Sequence, residues 1–149
     1  MLALRRRIPR ISNVRAFGIG FVAMFVLDIV IEQVFIRTHV YAFPRTWEAL
    51  TLFAGTQYQF PVYESLFVAV YAAGFTALRM SAHDDPQGVS FVERGIARWS
   101  PRLRKPITML AVIGFCAVWA AIAYFIPWSW MSVNPDSFVS VPSYMLPGK

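Results

Sequence analysis

Residues 106–126 form an apolar run without a single charged side chain, and two further runs of similar character lie at 16–36 and 61–78. About 20 residues at 1.5 Å each are what a helix needs to cross a hydrocarbon core. Inside such a core every backbone polar group has to find its partner within the segment, which restricts each run to a helix. With 57% hydrophobic and only 15% charged residues, the chain is too oily for a soluble domain of its size. The expectation is an all-α, multi-pass integral membrane protein of the cell membrane, with about three transmembrane helices.

Charge orients those helices. Residues 1–15 hold five arginines and no acid, and residues 79–105 hold six basic residues, against two in the first connection (Arg37, Arg45) and one in the tail (Lys149). Lysine and arginine collect on the cytoplasmic side, so the distribution predicts an N-in, C-out topology. The domains follow: a basic cytoplasmic segment over 1–15, a transmembrane domain over 16–130 and an extended tail over 131–149. The net charge of +6 is accounted for by these flanks, and no nucleic-acid motif accompanies it. Arg5-Arg6-Arg7 ahead of an apolar run looks like the start of a signal peptide, but acids interrupt that run and no Ala-x-Ala site follows, so an uncleaved span is expected. Val92, Ile96 and Trp99 recur at helical spacing opposite Glu93, Arg94 and Arg98, the pattern of a short amphipathic helix on the membrane surface.

Three of the eight acids lie in or beside apolar runs: Asp28, Glu32 and Glu64. A carboxylate in hydrocarbon is costly, and an intramembrane acid is by default a functional residue in search of a partner. Asp28 and Glu32 stand four apart and so share one helix face. Two like charges at that spacing in low dielectric do not both ionise unless a cation sits nearby. Pro61 suits the first turn of the next helix, which puts Glu64 at the same end of the bundle as Glu32. The connection between them, 37–60, is long enough to be functional or re-entrant. No cofactor is implied. The two histidines, His39 and His83, fall on opposite sides of the membrane, so no metal site is expected, and the lone Cys116 reads as a packed apolar residue.

Leu27-Asp28-Ile29-Val30-Ile31-Glu32, Tyr41-Ala42-Phe43-Pro44, Ala54-Gly55-Thr56-Gln57-Tyr58-Gln59-Phe60-Pro61-Val62-Tyr63-Glu64, Ala77-Leu78-Arg79 and Val92-Glu93-Arg94-Gly95 come in an order and at spacings that resemble the carboxy-terminal half of the AveC-like spirocyclase family. The likeness covers roughly residues 25–130, and Gly55 to Glu64 is its most specific piece. Members of that family are actinobacterial integral membrane proteins, longer than this chain and with further spans ahead of the matched region. On that basis the chain is expected to be a partial, split or reduced member. A second chain or further copies would then supply the missing helices. The resemblance implies spiroketal formation on a polyketide in secondary metabolism, with an associated dehydratase activity.

Spiroketalisation of a dihydroxy ketone needs an acid for the departing hydroxyl, a carboxylate to steady the oxocarbenium-like state and a base for the last proton. Paired carboxylates in unlike surroundings meet those demands in glycosidases. Asp28, Glu32 and Glu64 are therefore the candidate catalytic residues, with Tyr41, Tyr58 and Gln59 as candidate substrate-binding donors and a lipophilic polyketide-like molecule, entering from the lipid, as substrate. Plainer readings stand beside these. Asp28 and Glu32 would pair with Arg37 or with another helix, Glu64 would be solvated at the interface, and the tyrosines would belong to an aromatic belt. The competing function is a non-enzymatic assembly or transport subunit whose acids pair helices or relay protons.

Overall fold

The computed structural model describes residues 12–145. Of the segments read from the sequence, 1–11 of the basic amino terminus and 146–149 of the tail lie outside the described residues. The fold is mostly helical, 68%, and three of its helices are long and apolar enough to cross a membrane.

Helix α1 runs over Asn13–Arg37. The Ser12 hydroxyl accepts a hydrogen bond from the Arg15 amide at 3.3 Å, a side-chain cap on one of the amides a helix start leaves unpaired. The helix stops where the Thr38 hydroxyl turns back onto the Val34 carbonyl at 2.8 Å and His39 takes a left-handed φ of 58°. Helix α2 covers Val62–Asp84 with Pro61 at its cap. It continues past the expected end at Leu78 because nothing in Arg79 to Asp84 breaks it. The break comes at Asp85, which is extended as a residue before proline tends to be. Helix α3 occupies Pro101–Ala120 and begins at Pro101 rather than at Pro106, which lies inside it. A π-helical turn over Ala121–Phe125 joins α3 to a last short helix, α4, at Ile126–Met131.

The surface helix expected over 89–99 is not formed as one element. Two single 3₁₀ turns, Phe91–Glu93 and Ile96–Arg98, stand in its place. Between them Gly95 adopts φ 85°, a left-handed conformation that ends a helix and that glycine alone adopts without strain. The Glu93 carboxylate is bound to the Ser90 amide and hydroxyl, a capping arrangement that starts a turn but cannot carry it past Gly95.

The purely helical expectation also needs amending at one end of the bundle. Arg45–Thr46 (β1) pairs antiparallel with Ser137–Phe138 (β4), and Thr51–Leu52 (β2) pairs with Phe60–Pro61 (β3). The β1–β4 ladder binds the connection 38–61 to the stretch after α4, so the tail is strapped to the connection at 137–138, while β2–β3 closes the connection on itself. The middle of the clamp is closed to solvent contact at its side chains: Thr46, Gln59 and Phe60 are buried.

Helix α1 packs along α2, and the π turn and α4 pack against the first half of α2. At Gly74 a side chain would collide with the Trp119 indole, whose Nε1 donates to the Tyr71 carbonyl at 2.9 Å. A small residue here is what lets the two helices meet, the usual device of helix contacts in lipid. Outward-facing apolar side chains such as Val22, Leu110 and Ile126 remain exposed. In a bilayer those faces meet acyl chains.

Candidate functional site

Asp28 and Glu32 project from one face of α1 a turn apart, and Glu64 comes from the first turn of α2. The antiparallel α1–α2 pair brings them together, so that one carboxylate oxygen from each lies within 4.8 Å of the other two. Glu64 is only 5% exposed, buried rather than solvated at an interface. Its place in a first helical turn sets it among backbone amides whose partial positive charge favours an acid.

Two hydroxyls hold the group. Ser65 Oγ, fully buried, donates to Asp28 Oδ2 at 2.7 Å. Tyr124 OH donates to Glu64 Oε1 at 2.8 Å. Tyr124 reaches it from the π turn, in which the Ile126 amide bonds the Ala121 carbonyl five residues back; turns of this kind recur where a helix is bent to a functional purpose. Behind Tyr124 the Trp128 ring lies parallel at 6.2 Å, and Trp128 in turn meets Tyr63 and Phe43, each at 5.9 Å. The acids are thus walled on one side by aromatic rings.

Two oxygens of the trio are left over. Glu32 Oε2 and Glu64 Oε2 are buried without a hydrogen-bond partner. Among the described residues no lysine or arginine pairs with any of the three acids. The pairing of Asp28 or Glu32 with Arg37 is not what the fold makes, since the Arg37 guanidinium lies 5.2 Å from the ring centres of both Phe53 and Tyr58. Three carboxylates this close in a low dielectric repel one another strongly. Protons shared among them, or a cation, have to balance the charge. An oxygen-only set at this spacing is of the kind hard divalent cations take, and these three residues would be its ligands.

The family model for AveC-like spirocyclases matches residues 1–143. The chain belongs to that family. Among curated proteins and among solved structures, nothing matches.

In this AveC-like chain the three acids named from the sequence converge, whereas the three proposed donors all lie in the connection, where Tyr58 and Gln59 brace it and Tyr41 lines a cavity. Tyr41 packs against Phe35 at 6.3 Å and Phe43 at 5.6 Å. The Tyr58 ring lies under Arg37 and beside His39, and its carbonyl accepts from Gln33 Nε2 at 3.5 Å. Gln59 is buried, its Nε2 donating to the Phe43 carbonyl at 2.6 Å while its Oε1 accepts from the Gly55 amide at 3.2 Å and the Ser137 hydroxyl at 3.0 Å. Two side chains at the site were not singled out from the sequence: Ser65 and Tyr124. Ser65 follows a buried acid in the sequence, which is no signal. Tyr124 left a faint one, as the only hydroxyl between Cys116 and Ile126, at the end of the third long apolar run where a donor could meet the acids.

Proposed function

We propose that this AveC-like chain is a membrane-embedded spirocyclase or dehydratase that works by acid–base catalysis on a lipophilic, polyketide-like hydroxy ketone. The observation that supports it best is the convergence of Asp28, Glu32 and Glu64 within 4.8 Å in a member of a spirocyclase family. One substrate hydroxyl adds to the ketone and gives a hemiketal. A carboxyl proton from the trio then goes to the hemiketal hydroxyl, which leaves as water. A neighbouring carboxylate steadies the oxocarbenium-like cation, the second hydroxyl adds to it, and that hydroxyl's proton returns to the trio. The sum is dihydroxy ketone to spiroketal plus one water. Loss of a β-hydroxyl needs the same two roles, a base at the carbon acid and an acid at the leaving oxygen.

Each acid takes a role from its surroundings. Glu64, bound by Tyr124 at Oε1, presents Oε2 to the substrate as proton carrier. Glu32 shares that function through its own unbound Oε2. Asp28, tied to Ser65, is the carboxylate that faces the cation. The substrate reaches them from the membrane, in which a lipophilic polyketide dissolves.

The test is turnover in nanodiscs with a synthetic long-chain dihydroxy ketone, read by mass spectrometry as loss of one water above the uncatalysed background. Glu64→Gln should insert and assemble like the wild type and lose roughly 10²–10⁴ in rate, the usual worth of a general acid or base. A Glu64→Gln chain that turns over normally, or one whose assembly fails while the wild type itself shows no turnover, would instead make the acids packing or proton-relay groups of a non-enzymatic subunit.

A further inference from the structure

A cavity of about 400 Å³ opens between the connection residues Tyr41, Phe43, Pro44 and Arg45 and the α4 residue Trp128. Its size falls within the roughly 300–1,000 Å³ of small-molecule sites, which are mostly apolar with a few placed polar groups. The walls here follow that description. Phe43 and Trp128 meet edge to face at 5.9 Å, and Tyr41 meets Phe43 in the same way at 5.6 Å. The cavity also has a physical link to the trio: Trp128 lies parallel to Tyr124, and Tyr124 holds Glu64. A molecule resting on Trp128 is one ring removed from the hydroxyl that orients the acid.

The charged residue of this cavity is Arg45. It is exposed at the cavity wall, and its guanidinium lies 5.9 Å from the centre of the Phe138 ring. Among the described residues its side chain makes no hydrogen bond or ion pair. Arg37, the other basic residue of the connection, is sandwiched by Phe53 and Tyr58. An arginine fork with its donors free, beside an aromatic cavity, fits a planar anion such as a carboxylate.

We infer that this cavity is the substrate seat of the site, and that it takes a lipophilic hydroxy ketone bearing a terminal carboxylate, its apolar body on Phe43 and Trp128 and its anionic end at Arg45. The inference rests on the acid–base reading of the trio for what happens to the ketone. Binding itself is independent of that reading.

The experiment uses the full chain in nanodiscs of zwitterionic phosphatidylcholine and measures calorimetric binding of two synthetic probes. One is a long-chain dihydroxy ketone ending in a carboxylate, the other its terminal-amide counterpart. The wild type should prefer the carboxylate by about three- to fivefold, the scale of a solvent-exposed ion pair, and Arg45→Gln should erase the preference. Trp128→Ala should weaken both probes about tenfold or more, as truncating an aromatic anchor does, with Trp128→Phe recovering most of the loss. Glu64→Gln should bind like the wild type while failing to turn the probe over. If turnover persists but binding ignores both Trp128→Ala and Arg45→Gln, the seat lies elsewhere and the acid–base reading stands. Binding that follows the pattern with no turnover leaves the seat standing and removes the acid–base reading. Should anionic phosphatidylglycerol displace the carboxylate probe while sparing the amide, the arginine serves a lipid headgroup, and the assignment of a carboxylate substrate is overturned.

Discussion

Gln59→Leu removes an amide that touches three separate stretches of chain at once. The leucine has nearly the same volume, so what changes is polar pairing. The Phe43 carbonyl, the Gly55 amide and the Ser137 hydroxyl each lose their partner. Gly55 is exposed and recovers a bond from water, whereas Ser137 is buried and Phe43 half-buried. An orphaned buried polar group costs about 1–3 kcal/mol, so two of them weaken the clamp by about 2–6 kcal/mol. At 1.4 kcal/mol per tenfold, the lower figure alone raises the opening equilibrium roughly 30-fold. The amides that report this are known: Val139 donates to the Pro44 carbonyl, Asp136 to that of Thr46 and Ala42 to that of Met145. Hydrogen exchange followed by mass spectrometry in nanodiscs should show these segments exchanging at least an order of magnitude faster, with mid-helix amides of α1 unchanged. If 42–46 and 136–139 keep their protection, the amide is not what holds the clamp, and a role for Gln59 toward the substrate regains its place.

Tyr124→Phe keeps the ring on Trp128 and deletes the bond to Glu64; a hydrogen bond to a carboxylate is worth about 1.5–3 kcal/mol, so turnover should fall roughly 10- to 100-fold. Adding Tyr124→Phe to Glu64→Gln should lower the rate little further, because both changes break the same contact. Gly74→Ala pushes a methyl into the Trp119 indole and should lower stability by about 1–3 kcal/mol in detergent melts, much of it recovered when Trp119 is also reduced to leucine. Ser65→Ala strips Asp28 Oδ2 of its donor and should cost about 1–3 kcal/mol in the same assay; an unchanged midpoint would mean that water replaces the hydroxyl and the site is wetter than its burial implies.

What the sequence disclosed and what it concealed divide along a physical line. The three long apolar helices were legible because long runs without charge leave the backbone so few options, and the meeting of Asp28, Glu32 and Glu64 was legible because acids in apolar runs have to be placed near something. Periodicity failed over 89–99, where Val92, Ile96 and Trp99 kept helical spacing while Gly95 broke the backbone, a case of one φ angle overriding a pattern. The strap between Arg45–Thr46 and Ser137–Phe138 was invisible, since two residues are too short to show alternation and their pairing spans most of the chain. The polar amide of Gln59 marks it in the sequence as a substrate contact, but a buried amide is as readily consumed by the fold. Tyr124 was missed for another reason, which is that its direction depends on backbone geometry and not on its place in the list of residues.

That last dependence has a consequence of its own. A π turn accommodates one residue more than an α-helix would at the same place, so Ala121–Phe125 works as a phase shift written into the helix. Each residue advances the helix by about 100°. Deleting one residue within the turn would let the helix relax to a continuous α form while swinging Tyr124 out of line with Trp128 or with Glu64. The proposed acid–base chemistry therefore hangs on an odd residue of register, and a chain without the extra residue would have to find the hydroxyl for its acid somewhere else.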